Sequence, residues 1–237
     1  MISLKIDGRD CSCEDGSTIL EAATECGIYI PTLCAHPALS ASGNCRICLV
    51  AVEGRPGFTP ACSTPAAEGI SVITRNGDID RLRRNVLELI LSEHPSSCIV
   101  CSDREACFRY NREPSKSGTT TGCRFCPNRD ECELYEVVEH LGLDGISLPL
   151  SYRGAPIYRE DHFIQRDYNL CINCGRCIRA CDELRGQSVL TFVDRAFGDD
   201  RHTLAHHLQK RIVIDGHVQG PADVEVLEGR VGHVELH

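Results

Sequence analysis

The sequence predicts an α+β protein assembled around cysteine-ligated metal groups, and three observations carry that expectation. Seventeen of the 237 residues are cysteine and none is tryptophan, a composition that a simple hydrophobic core does not call for. Many of these cysteines sit in C-x2-C pairs and their number is odd, which suits metal ligation better than a disulfide framework. The first 74 residues combine short alternating segments with one helical pattern, the signature of a small α+β unit.

Charge and hydropathy exclude other classes. A formal charge of -9 with both signs interspersed leaves no basic face for nucleic acid. No segment reaches the roughly 20 apolar residues of a membrane span, and MISLKIDGRD has neither a basic nor an apolar leader region. The expectation is a cytoplasmic protein without direct membrane insertion, in which thiols stay reduced and open to metals.

In chain order, residues 2 to 8 alternate apolar and polar, and Asp7-Gly8 predicts a hairpin whose second strand closes near Asp15-Gly16. Thr18 to Glu21 matches a capping box; Ile19, Leu20, Ala22, Ala23 and Cys26 can share an apolar face, with Gly27 as the C-terminal cap. LVAVEG and ISVIT read as further strands. From Asp78 to Glu93, Ile79, Leu82, Val86, Leu89 and Ile90 recur at helical spacing with Arg81, Arg83, Arg84 and Glu88 between them, and this helix delivers His94 at its end. ELYEVVEHLGL predicts a short helix with Leu134, Val137, Val138 and Leu141 on one face. Pro149, Gly154 and Pro156 mark a linker between Asp144 and Arg166, and SVLTFVDRA reads as a strand.

The cysteine runs carry the chemistry. Cys34, Cys45, Cys48 and Cys62 follow C-x10-C-x2-C-x13-C, a long loop with three sulfurs and a fourth returning from a neighbouring segment. Gly43 and the small residues of SASGN allow close backbone approach, so the set suits a 2Fe-2S rhomb. Zinc is the competing ligand, but a structural zinc site normally shows two C-x2-C pairs and only one is present. Cys171, Cys174, Cys177 and Cys181 match the C-x2-C-x2-C-x3-C run of bacterial ferredoxins, a 4Fe-4S signature whose fourth cysteine commonly serves another cluster. Cys11, Cys13 and Cys26 belong to no motif; Cys26 reads as a small core residue, and Cys11 and Cys13 share one side of a strand.

GIYIPTLCAHP, GNCRICLVAVEG, PACSTP, CELYEVVEHLGL and CINCGRCIRACDELRG occur in an order that resembles the N-terminal part of the large iron-sulfur polypeptide of bacterial NADH dehydrogenase (complex I). The resemblance is closer still to the short diaphorase iron-sulfur subunits of NAD-linked hydrogenases and formate dehydrogenases. It implies a β-grasp 2Fe-2S ferredoxin-like domain at 1-77, followed by small cysteine-rich 4Fe-4S cluster domains at 78-145 and 146-237. It also implies that His94, Cys98, Cys101 and Cys107 ligate one 4Fe-4S cluster, where imidazole in place of one thiolate would raise the potential. The implied partners are a flavin and NAD(H)-binding subunit on one side and a hydrogenase, formate dehydrogenase or complex I core on the other.

This chain departs from that pattern by repeating C-x2-C-x5-C at Cys123, Cys126 and Cys132, with Thr119 in the place of the histidine. Two readings stay open: an additional 4Fe-4S cluster, making three with a fourth ligand from elsewhere, or a zinc site formed by Cys98, Cys101, Cys123 and Cys126. The tail after Gly198 lacks cysteine and holds six of the ten histidines, where a second ferredoxin-like segment would stand. An altered or truncated C-terminus accounts for that better than metal storage by His202, His206 and His207. With no dinucleotide fingerprint, Walker motif or nucleophile elbow, the expected function is single-electron relay. The alternative is a zinc and iron-binding redox-sensing or regulatory module.

Overall fold

The computed structural model describes residues 1–94, 131–149, 151, 157–158, 166–188, 190–193, 211–214 and 217–218. Strands β1 (Ile2–Ile6) and β2 (Arg9–Cys13) pair antiparallel across a two-residue turn in which Asp7 and Gly8 both have positive φ, 50° and 78°. That conformation matches the turn to the strand twist, which is why Asp-Gly belongs there. Helix α1 (Ile19–Glu25) starts on the expected capping box: the Glu21 backbone N–H donates to Thr18 Oγ1 at 3.2 Å, and Glu21 Oε2 accepts from the Thr18 backbone N–H at 2.7 Å. Gly27, at φ 68°, turns the chain out of the helix.

Strands β3 (Leu49–Val52), β4 (Thr59–Pro60) and β5 (Ser71–Ile73) complete a mixed five-stranded sheet in the order β2-β1-β5-β3-β4. β1 runs parallel to β5; the other pairs are antiparallel. Leu4, Ile6, Cys11, Cys13, Val50, Val52 and Val72 point to a core closed by Ile19, Ala22 and Ala23 of α1.

Helix α2 (Gly77–Glu93) is capped by Asn76, whose side chain accepts from the Ile79 backbone N–H at 2.8 Å. Its phase differs from the expected one. The buried positions are Ile79, Arg83, Leu87 and Leu91, while Leu89 is exposed. An i, i+4 row dominates, because this helix packs on β3 along one side and on helix α3 (Glu133–Leu141) along another. α3 buries Leu134, Val137, Val138 and Leu141, the face the sequence predicts, and ends on Gly142 at φ 60°. Arg84 Nε donates to the Leu141 carbonyl at 3.0 Å and so covers one of the open acceptors of that helix end.

The segment expected to be a linker contains a two-stranded ribbon, β6 (Ile157–Tyr158) with β7 (Arg166–Asp167). A short helix α4 (Arg176–Arg179) runs on into a π-helical turn over Ala180–Leu184. β8 (Leu190–Val193) falls within the expected strand and heads a three-stranded sheet with β9 (Arg211–Ile214) and β10 (His217–Val218), two strands the weak periodicity of the tail does not announce. Among the described residues no helix is long and apolar enough to cross a membrane.

Candidate metal centre

The loop from Cys34 to Cys48 carries no regular secondary structure and wraps back on itself through Gly43 and Arg46, both at positive φ (62° and 57°). A side chain at Gly43 would bring its Cβ within 3.0 Å of Ser63 Oγ, so the glycine is needed for both conformation and space. β3 pairs Leu49 with Pro60, and the Ala61 backbone N–H donates to the Cys48 carbonyl at 2.9 Å. This carries Cys62, on the 3-10 turn Ala61–Ser63, to the loop cysteines.

Four thiols meet there, with Cys34 and Cys48 0%, Cys62 3% and Cys45 8% exposed. Cys34 is paired with Cys45 and with Cys62, and Cys62 is also paired with Cys48. The hydrogen bonds that Cys45 and Cys62 donate to it hold the Cys34 thiol well below its ordinary value. Cys48 is lowered to about 7, first by Cys62. Cys45 and Cys62 are pushed up, chiefly because each donates to Cys34. Metal binding would release the protons that Cys45 and Cys62 still hold.

Backbone N–H groups already face the sulfurs: that of Cys45 toward Cys34, those of Ile47 and Leu33 toward Cys45, and that of Cys62 toward Cys48. Ser42 Oγ is buried beside Cys34 without a well-formed hydrogen bond of its own, a donor left for a sulfide or thiolate acceptor. The donor set therefore fits an iron-sulfur group: four soft ligands in a dry pocket, ringed with N–H dipoles.

The Cys171 run lies directly against that loop. Cys171 follows the 3-10 turn Tyr168–Leu170, and its Sγ accepts from the Asn173 backbone N–H at 3.4 Å. Asn173 and Gly175 both have positive φ (58° and 71°), which turns Cys171 and Cys174 toward each other. Burial raises the Cys174 and Cys177 thiols, with Cys171 adding to both. Cys181 lies one turn later, half-buried in the π-helical turn. Arg176 Nη2 donates to the Ala35 carbonyl at 2.6 Å while its Nη1 donates to Glu133 Oε1 at 2.8 Å. Arg179 donates through Nη2 to the Cys34 carbonyl at 2.5 Å and through Nη1 to the Ser40 carbonyl. Glu183 accepts from the Ser40 backbone N–H at 2.7 Å and from its hydroxyl.

His94 stands at the C-terminal end of α2 as expected. Cys132 caps α3 without a side-chain bond and packs on the core. Cys98, Cys101, Cys107, Cys123 and Cys126 lie outside the described residues, and so do the histidines His202, His206 and His207. Cys11 and Cys13 are core residues, as their shared side of β2 suggested, with Cys26 at the C-cap of α1. Sequence reasoning missed Arg83, Arg176 and Arg179; only the last two carried a signal, through their place inside the cysteine run.

A sheet whose loop and adjoining turn gather four thiols, with a second cysteine run against that loop, defines an iron-sulfur protein. Comparison with known proteins marks two iron-sulfur regions along the chain. Residues 1–77 match the 2Fe-2S iron-sulfur cluster binding domain, and residues 83–108 match the NADH-ubiquinone oxidoreductase-G iron-sulfur binding region. The NADP-reducing hydrogenase subunit HndD of Solidesulfovibrio fructosivorans is 36% identical over 206 residues, which cover 83% of this chain and 30% of that one. The mitochondrial NADH-ubiquinone oxidoreductase 78 kDa subunit of Candida albicans is 31% identical over 185 residues, covering 78% and 22%. The crystal structure of an NAD+-reducing NiFe-hydrogenase in the H2-reduced state superposes with a TM-score of 0.66 at 27% identity, covering 82% of this chain and 71% of that one. The resemblance to the large iron-sulfur polypeptide of NADH dehydrogenase and to NAD(P)-linked hydrogenase subunits thus holds over most of the chain, which spans 30% or less of these curated relatives.

Proposed function

We propose that this chain is an electron-relay subunit that passes single electrons between an NAD(H)/flavin subunit and a hydrogenase, formate dehydrogenase or quinone-reductase core. One observation carries the reading: of the four buried thiols, Cys34, Cys45 and Cys48 lie on the loop that Arg176, Arg179 and Glu183 tie to the Cys171 run, and Cys62 meets them from a neighbouring turn. Two redox sites held through a shared loop allow electron transfer without diffusion of either partner.

The assignments are Cys34, Cys45, Cys48 and Cys62 to a 2Fe-2S cluster, His94, Cys98, Cys101 and Cys107 to a 4Fe-4S cluster, and Cys171, Cys174, Cys177 and Cys181 to another. Cys123, Cys126 and Cys132 would hold an additional 4Fe-4S cluster or zinc. Each iron-sulfur cluster would supply reversible one-electron chemistry, whereas zinc in the last set would be structural and redox-silent. The chain contributes burial, N–H donors to sulfur, and fixed spacing. β1 parallel to β5 at the centre of the sheet, with α1 across it, supports a β-grasp form for 1-77, and we take 78-145 and 146-237 as the cluster domains that follow. The test is metal and sulfide analysis with electron paramagnetic resonance on the anaerobically purified full chain. Reversible reduction with both two-iron and four-iron signals is expected; a colourless, zinc-loaded protein would overturn the relay reading in favour of a regulatory module.

A further inference from the structure

Arg83 is 1% exposed, on the side of α2 that packs against β3. Its Nη2 donates to the Leu49 carbonyl at 2.7 Å, one residue beyond Cys48, and its Nε is buried without a partner. A guanidinium withdrawn from water needs opposing charge, which comes first from Asp80 and next from Cys48. Asp80 gives one oxygen to Arg75 Nε at 2.9 Å, so that its charge is shared with a second cation; its other oxygen is buried and unpartnered. Asp7 is engaged with the Thr74 backbone N–H at 2.8 Å and its hydroxyl at 2.5 Å. After Asp80, the next negative group to favour the charged form of Arg83 is Cys48 of the four-thiol site, ahead of Asp7.

We propose that Arg83 is the buried cation that raises the reduction potential of the group held by Cys34, Cys45, Cys48 and Cys62, acting as a positioning residue beside Cys48. This rests on the 2Fe-2S reading above. Reduction adds one electron and no proton to the site, so a fixed positive charge in a dry setting favours the reduced form, while anchoring to Leu49 holds that charge in place. The other charged side chains shape the same field: Asp80 and Asp7 weaken it and Arg75 offsets them.

The test is a redox titration of the full chain, following the two-iron resonance at a temperature where fast-relaxing four-iron signals are broadened away. Arg83→Gln should shift the reduction equilibrium toward the oxidised form by about tenfold, a fall of about 59 mV for one electron. Arg83→Lys should recover most of that loss, and Asp80→Asn, which keeps the arginine and removes its counter-charge, should shift the potential upward. Where Arg83→Gln fails to retain the cluster, the sign of the Asp80→Asn shift decides. Unchanged potentials, or a downward shift in Asp80→Asn, would overturn the assignment of Arg83. A wild-type chain with no two-iron resonance would instead overturn the 2Fe-2S reading on which it stands.

Discussion

Arg179, in the short helix that carries Cys177, donates a 2.5 Å hydrogen bond to the backbone carbonyl of Cys34, 145 residues earlier in the chain. That bond reaches into the loop that carries Cys34, Cys45 and Cys48, and the second arm of the same guanidinium takes the Ser40 carbonyl. Arg179→Ala should therefore loosen the loop without touching a thiol. Charge-assisted hydrogen bonds of this kind are worth about 1–2 kcal/mol after solvent screening. Amide exchange over residues 34–44 should accelerate roughly 5- to 30-fold. Arg81→Ala, which removes an exposed ion pair with Asp78, should leave that segment unchanged.

Replacing Cys48 or Cys62 by serine substitutes a hard, weakly acidic ligand for a soft one at a buried position. Iron analysis and paramagnetic resonance should show loss of the two-iron signal with four-iron signals retained. Cys11→Ala and Cys13→Ala, which alter equally buried thiols in the strand core, should keep the full spectrum. A spectrum unaffected by Cys48→Ser would remove the ligand assignment.

Two glycines test close approach apart from backbone strain. Gly43→Ala combines φ 62° with a contact to Ser63 Oγ at 3.0 Å, and Gly175→Ala combines φ 71° with one to Asn44 Nδ2 at 3.1 Å. Gly16→Ala has φ 89° and open space around it. All three incur left-handed strain of about 1–2 kcal/mol. Gly43→Ala should in addition lower two-iron loading, and Gly175→Ala should speed exchange in the loop around Asn44; Gly16→Ala should do neither.

Burial, with the nearby Cys26 thiol, pushes Cys11 up from 9.0 to about 11. A thiol that holds its proton more tightly when folded contributes stability that is complete below the unfolded value and is lost as pH rises through the folded one. Thermal unfolding should therefore show a loss of stability between about pH 9 and pH 11 that Cys11→Val removes. An identical alkaline profile in wild type and variant would show that this thiol does not couple to folding.

Local signals made a large part of this molecule legible in advance. Asp7-Gly8 specified a hairpin turn, Thr18 and Glu21 a capped helix start, and Leu134, Val137, Val138 and Leu141 a buried face, because each depends on residues within one or two turns of each other. The same holds for the spacing of the cysteine runs. The reading of α2 went astray where periodicity admitted two phases: Leu89 is exposed and Arg83 is buried. Packing on two elements chose the second phase, and an arginine in a row of leucines gives no hint that it belongs inside.

By itself, the sequence determined the spacing of the cysteine runs, their order along the chain and the α+β character of the first 77 residues, since these follow from side-chain chemistry and local hydrogen bonding. Only the tertiary structure decided that Arg83 lies beside Cys48 and that Arg176, Arg179 and Glu183 bind the loop of Cys34. Those contacts join residues 34 to 145 positions apart, and their partners are mostly backbone carbonyls, which every residue carries and no sequence pattern marks.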